Sequence, residues 1–276
     1  MTALMNVQGN DIQINANGIT MSFDDFGKGE TPIIFVHGFP FDKSSWAPQM
    51  AFMKKTNRVI AYDIRGFGAT TLGKSAASMR VYADDLVKFM DNMGIPKAVV
   101  CGLSMGGYIV LNAVQRYPER FKALVLSDTQ SIADTEEARK KRYQTIEQIK
   151  TDGLAVFTEG MIKNVFCADS RMHRKEVIHS VKEVVLSTSP ETIISGLTAL
   201  AERADMTSSL KDITIPTLII CGKEDSMTPP NQAEALHIAI KNSSLKIIEN
   251  AGHLSNLEQS DAFNKHLAGF IATLVQ

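Results

Sequence analysis

The chain has 276 residues, 44% of them hydrophobic and 21% charged, and a formal net charge of −1. That length suits one α/β domain carrying an insertion and is short for two independent domains. The balanced charge argues against a polyanionic partner such as nucleic acid. The longest apolar runs fall far below the ~20 residues of a membrane span, so no membrane association is expected.

Met1 to Asn10 shows neither a basic n-region nor an apolar h-region, so no secretory leader is expected there. Asp11 to Asn15 and Ile19 to Asp25 are short alternating runs around Ala16-Asn17-Gly18, the pattern of an antiparallel hairpin. Six continuous apolar runs follow: Pro32 to Val36, Arg58 to Asp63, Lys97 to Cys101, Ala123 to Ser127, Thr217 to Cys221 and Leu245 to Glu249. Continuous rather than alternating runs predict strands buried on both faces, as in a parallel sheet. With the hairpin they make a mostly parallel eight-stranded sheet. Helical patterns over Met79 to Met93, Met105 to Tyr117, Gln232 to Ile240 and Asp261 to Val275 separate or follow these runs. Strand–helix alternation of this kind places helices on both faces of the sheet.

Between Asp128 and Thr217 the rhythm breaks. Glu136 to Lys150, Leu154 to Phe166, Arg171 to Leu186 and Glu191 to Ala204 all read as helices. A structureless loop of this length is improbable. The expectation is therefore a core of residues 1–129 and 207–276, with a helical cap, residues 130–206, inserted over one edge of the sheet. Arg139-Lys140-Lys141-Arg142 is matched by acids elsewhere in the insertion and reads as a solvated helix face. The cysteines Cys101, Cys167 and Cys221 fit no zinc or redox spacing, and their odd number argues against a disulfide framework. Buried, reduced thiols and a cytoplasmic location follow as expectations.

Gly102-Leu103-Ser104-Met105-Gly106 is a G-x-S-x-G motif placed directly after a buried-strand run and directly before a helix. That context holds a serine hydroxyl clear of the sheet on a sharp turn. An alkyl hydroxyl needs an adjacent base. His253, in Ala251-Gly252-His253-Leu254 just past the last strand run, is the best candidate. His173, His179, His237 and His266 fall on predicted helices. Asp225 follows the strand run ending at Cys221 and is the expected orienting acid; adjacent Glu224 competes with it, and Asp128 is second choice. The order Ser104, Asp225, His253 is the one a nucleophile elbow requires. Oxyanion donors are expected from the backbone N–H groups of Met105 and of Phe39, in the His37-Gly38-Phe39-Pro40 loop. His37 itself reads as a loop-stabilising residue. For the pocket, Phe157, Met161, Phe166 and Leu197 are candidates from the insertion, with Phe39, Phe41 and Trp46 from the core side. Their apolar character favours a small uncharged acyl group. A carboxylated substrate would require a basic residue in the pocket, for which Arg65 and Arg203 are the candidates.

These motifs resemble the α/β-hydrolases. The likeness rests on the His37-Gly38 loop, Asp63-Ile64-Arg65-Gly66-Phe67-Gly68, the Gly102-to-Gly107 elbow, Pro118-Glu119-Arg120 and Gly252-His253. It spans about Ile19 to Ile271 and is weakest in the insertion, which corresponds to the family's cap. Within the superfamily the elbow and Ser127-Asp128-Thr129 resemble the carboxylesterase and 3-oxoadipate enol-lactonase group. That resemblance implies a serine hydrolase for small esters or lactones, without metal or cofactor, working as a monomer or homodimer. Haloalkane dehalogenases and epoxide hydrolases also resemble the chain, but they carry an aspartate where Ser104 stands. Carbon–carbon bond hydrolases, cofactor-free haloperoxidases or perhydrolases, and slow-turnover ligand receptors remain as alternatives on the same three residues.

Overall fold

A computed structural model describes residues 8–274. Residues 1–7, most of the stretch read for a leader, and residues 275–276, including the end of the last predicted helix, lie outside the described residues. Eight strands form one sheet: β1 (Gly9–Ala16), β2 (Ile19–Phe26), β3 (Ile33–Val36), β4 (Val59–Tyr62), β5 (Ala98–Leu103), β6 (Phe121–Ser127), β7 (Thr217–Gly222) and β8 (Ser243–Ile248). Their spatial order is β1-β2-β4-β3-β5-β6-β7-β8. β1 and β2 pair antiparallel, β2 meets β4 antiparallel, and every later pairing is parallel. Asn17 and Gly18 both have positive φ, which matches the two-residue hairpin turn predicted by Asn-Gly.

The continuous apolar runs have a direct physical reason. Successive side chains on a strand point to opposite faces, and here both faces are covered. Ile34, Ile60, Val100, Leu124 and Ile219 pack on one side, with α2 (Met79–Asn92), α3 (Met105–Arg116) and α9 (Pro230–Ala239). Ile33, Val59, Val99, Ala123 and Leu218 pack on the other, with α1 (Ala47–Met53) and α11 (Ser260–Thr273). α1 has no counterpart in the predicted elements. It has only seven residues, too few to register a helical period, and enters through a 3-10 turn capped by Asp42.

Between β6 and β7 lie α4 (Glu136–Asp152), α5 (Leu154–Val165), α6 (Ala168–His173), α7 (Lys175–Ser187) and α8 (Pro190–Ala201). The single helix predicted over Arg171 to Leu186 is two helices. The chain breaks at Arg174 (φ −109, ψ 43), and α6 is capped by Cys167, whose sulfur accepts the Ser170 N–H. α4 packs with α8 and α5 with α7. Among the described residues, no single helix is long and apolar enough to cross a membrane.

Candidate active site

Ser104 stands between β5 and α3 with φ 51 and ψ −113, a conformation that costs a non-glycine residue energy and needs surrounding support. The support is visible. The Ser104 N–H donates to Ser127 O (2.9 Å), and Thr129 Oγ1 donates to Ser104 O (2.8 Å). A Cβ at Gly102 would lie 2.5 Å from Gly106 O, and one at Gly106 would lie 2.2 Å from Val36 O. Only glycine lets strand, turn and helix approach this closely, which accounts for the motif's spacing.

β7 and β8 deliver the partners. His253, buried in the loop after β8, places Nε2 2.8 Å from Ser104 Oγ and Nδ1 2.8 Å from Asp225 Oδ2. Asp225 sits in the turn after β7. Its Oδ1 accepts the N–H groups of Met227 (2.8 Å) and Thr228 (3.0 Å), and its Oδ2 accepts the Thr228 hydroxyl (2.8 Å). Burial alone would raise the Asp225 carboxyl, but His253 and the Thr228 donors outweigh it and hold the group below the usual carboxylate range. Burial likewise pulls His253 down, yet the charge and hydrogen bond of Asp225 leave its imidazole above its ordinary value. A serine hydroxyl, an imidazole and a carboxylate in line can deliver a proton from Ser104 to His253.

The other acids do different work. Glu224 is exposed, and His253 Nδ1 meets Asp225 instead. Asp128 is fully buried at the end of β6. It accepts from Gly222 N–H (2.8 Å), Ser255 Oγ (2.6 Å) and Ser127 Oγ (2.8 Å), so it ties β6, β7 and the His253 loop together. Burial and the charge of Asp225 push its carboxyl up. Ligand atoms of Asp128, Cys221 and Asp225 lie within 4.8 Å of one another, but every carboxylate oxygen there already accepts from a protein donor. The three cysteines are buried and free.

The His37–Pro40 loop lies against the elbow: a Cβ on Gly38 would come 3.2 Å from Ser104 Cβ. Among the described residues, the N–H groups of Phe39 and Met105 make no hydrogen bond. His37 is fully buried. Its Nδ1–H donates to Gly38 O (2.9 Å) and its Nε2 accepts from Ile64 N–H (2.9 Å), the pattern of a neutral ring. Burial lowers its basicity further, so His37 braces the loop rather than handling protons.

Ser104 and His253 open into a cavity of about 640 Å³. Phe39, Phe157, Met161 and Leu197 line it, as the sequence predicts. Three nominated residues do not. Phe41 and Trp46 are buried in the layer that α1 and α11 cover, where Trp46 packs on Phe35 and Phe263. Phe166 follows the last residue of α5 in extended conformation and packs into the same layer, while Val165 takes the cavity position. An aromatic residue near a loop reads the same in sequence whether it faces a core or a cavity. The basic candidates are also displaced. Arg65 is buried in a bidentate pair with Asp85 (2.7 and 2.6 Å), and Arg203 pairs with Asp134 behind the Tyr108 ring. Lys141 and Arg142 reach the cavity instead, from the basic helix face that reads in sequence as solvated. Arg142 shares Asp134 with Arg203. Lys141 and Thr145, one turn apart on α4, both line the cavity, so this face of the helix turns toward it, which a run of charged residues does not disclose in sequence.

A family model described as the alpha/beta hydrolase fold matches residues 31–260. The chain is 29% identical over 258 residues to 3-oxoadipate enol-lactonase 2 of Acinetobacter baylyi, covering 91% of this chain and 92% of that protein. Among solved structures, a thermophilic esterase from Thermogutta terrifontis superposes with a TM-score of 0.91 at 32% identity, covering 95% of this chain and 98% of that one. The enol-lactonase from Burkholderia xenovorans superposes with a TM-score of 0.89 at 27% identity, covering 95% and 100%.

Proposed function

The chain belongs to the α/β-hydrolase fold family, and from that premise we propose that it hydrolyses small carboxylic esters or lactones through an acyl-enzyme on Ser104. The observation that carries this reading is the unbroken hydrogen-bonded series from Ser104 through His253 to Asp225, open to a cavity of about 640 Å³. His253 takes the Ser104 proton as the hydroxyl oxygen attacks the ester carbonyl. Asp225 holds the ring orientation and stabilises the imidazolium. The free N–H groups of Phe39 and Met105 receive the oxyanion. His253 then protonates the leaving alcohol, and water, activated by the same ring, releases the acid. Residues 130–206 act as a cap whose α4, α5 and α8 wall the acyl pocket.

A panel of p-nitrophenyl esters of increasing chain length tests this, together with labelling by a serine-reactive phosphonate followed by intact mass. Turnover of short esters and a single adduct on Ser104, both abolished in Ser104→Ala, are expected. The loss in kcat should be about a millionfold. An unlabelled Ser104 would remove the reading altogether, and activity confined to a vinylogous diketone would replace it with carbon–carbon bond hydrolysis.

One observation favours a narrower reading, a lactone bearing a carboxylate. Lys141 and Arg142 both line the cavity, and Asp134 is the one acid beside them there. The similarity to 3-oxoadipate enol-lactonase 2 points the same way. Higher kcat/KM for a carboxylated ester than for its neutral isostere, reversed in Arg142→Gln, distinguishes it from the neutral-ester reading.

A further inference from the structure

Glu258 is fully buried, five residues after His253 at the end of the short helix α10 (Ser255–Glu258). Its Oε1 accepts the N–H groups of Gly252 (2.8 Å) and Leu254 (3.3 Å), the two residues that flank His253. Its Oε2 accepts the Cys167 N–H (2.9 Å), in the turn between α5 and α6. The group accepts from three donors and donates to none, the pattern of an ionised carboxylate. Among the described residues, no cation pairs with it.

The same joint is closed twice more. The His253 N–H donates to Val165 O (2.8 Å). A Cβ on Gly252 would lie 2.8 Å from Cys167 N and 3.0 Å from Val165 O, so residue 252 must be glycine for the turn to seat. Val165 lines the cavity, and α5 carries Phe157 and Met161 into it. The loop holding the base and the wall holding the acyl group are therefore one rigid junction, with a buried negative charge at its centre.

We propose that Glu258 is a positioning residue for the hydrolysis: its two oxygens pin the His253 loop to the Val165–Cys167 turn, and its charge supports the imidazolium that forms at His253. This rests on His253 being the base. The ionisable groups acting on His253 are Asp225 from the β7 turn, Asp128 from the end of β6 and Glu258 from α10; their charges oppose the effect of burial on the ring. A glutamine cannot replace the carboxylate. One amide oxygen can accept from Gly252 and Leu254, but the amide nitrogen would then meet the Cys167 N–H donor to donor.

The test uses the full chain as wild type, Glu258→Gln and Glu258→Asp, with kcat per mole of folded protein and kcat/KM followed across pH. In Glu258→Gln, kcat should fall about tenfold or more, by analogy with the loss of a partner that orients a metal-bound histidine. KM should change less, and the acid limb of kcat/KM should move to lower pH. Glu258→Asp keeps the charge but is too short to span both arms, so kcat should fall with the acid limb unmoved. A folded Glu258→Gln with wild-type kcat, or with an unmoved acid limb, overturns the proposal. If Glu258→Gln does not fold, Glu258→Asp decides: reduced kcat with the limb in place supports it, and wild-type kcat overturns it. An inactive, unlabelled wild type would instead indict the hydrolase reading itself.

Discussion

The carboxyl edge of the sheet and the helices between β6 and β7 face each other across one cavity, yet they are built on different terms. At the sheet edge, backbone atoms carry the constraints. Ser104 is held by Ser127 O and Thr129, Asp225 by two N–H groups, and the His253 loop by Glu258. The strands beneath, β3 to β7, are buried almost throughout. In the helical segment, α4 buries only Ile146 and Ile149 of its 17 residues, and Val156, Met172 and Leu186 stand 55%, 63% and 46% exposed. Its contribution to the cavity is made by side chains on amphipathic surfaces. Backbone-level constraints tolerate almost no substitution, whereas side-chain walls can change without disturbing the fold. One region is suited to fixed chemistry, the other to adjustable selectivity.

Substitutions that strike one side and spare the other test this contrast. The largest effect is expected for Asp225→Asn, with kcat lower by about ten-thousandfold because the amide favours the wrong imidazole tautomer. The sign of the pH effect is set by His253. A base held above its ordinary value is protonated, and idle, until the pH exceeds that raised value. Removing the Asp225 charge should therefore shift the acid limb of kcat/KM to lower pH in the residual activity. Gly106→Ala comes next. A Cβ 2.2 Å from Val36 O should cost about 1–3 kcal/mol in urea unfolding, with activity falling as the elbow shifts.

Phe157→Ala, in the helical wall, gives up the edge-to-face contact with Phe39 and should cost about 1 kcal/mol of stability, while altering the ratio of kcat/KM between short and longer acyl esters by about tenfold. The smallest effect has the opposite sign. Gly160, in the interior of α5, has nothing within 4 Å of an added Cβ, so Gly160→Ala should raise stability by about 0.5–1 kcal/mol. A destabilised Gly160→Ala, or an unaffected Gly106→Ala, would erase the distinction between the two regions.

Legibility in the sequence follows the same division. The strands announce themselves because burial on both faces demands continuous apolar runs, and each of Ser104, Asp225 and His253 follows one of those runs directly. Phe41, Trp46 and Phe166 read as cavity residues although they are core, because aromatic side chains serve a core and a cavity equally well and only their neighbours distinguish the two. Lys141 and Arg142 read as a solvated charge run because sequence does not reveal which face of α4 turns inward. Glu258 is silent in the sequence. A lone glutamate carries no signal until the chain brings Gly252, Leu254 and Cys167 around it, the last of these 91 residues away.

Legible in the sequence without any structure are the eight strands in chain order, the glycine-flanked elbow at Ser104 and the chain order of its two partners. These features are local: strand burial, turn chemistry and motif spacing act over a few residues. Only the tertiary structure decided that Asp128 braces β6 against β7, which aromatics wall the cavity, and that one buried carboxylate joins the His253 loop to α5. Those relations depend on contacts between segments far apart in the chain, and no local pattern encodes the distance between them.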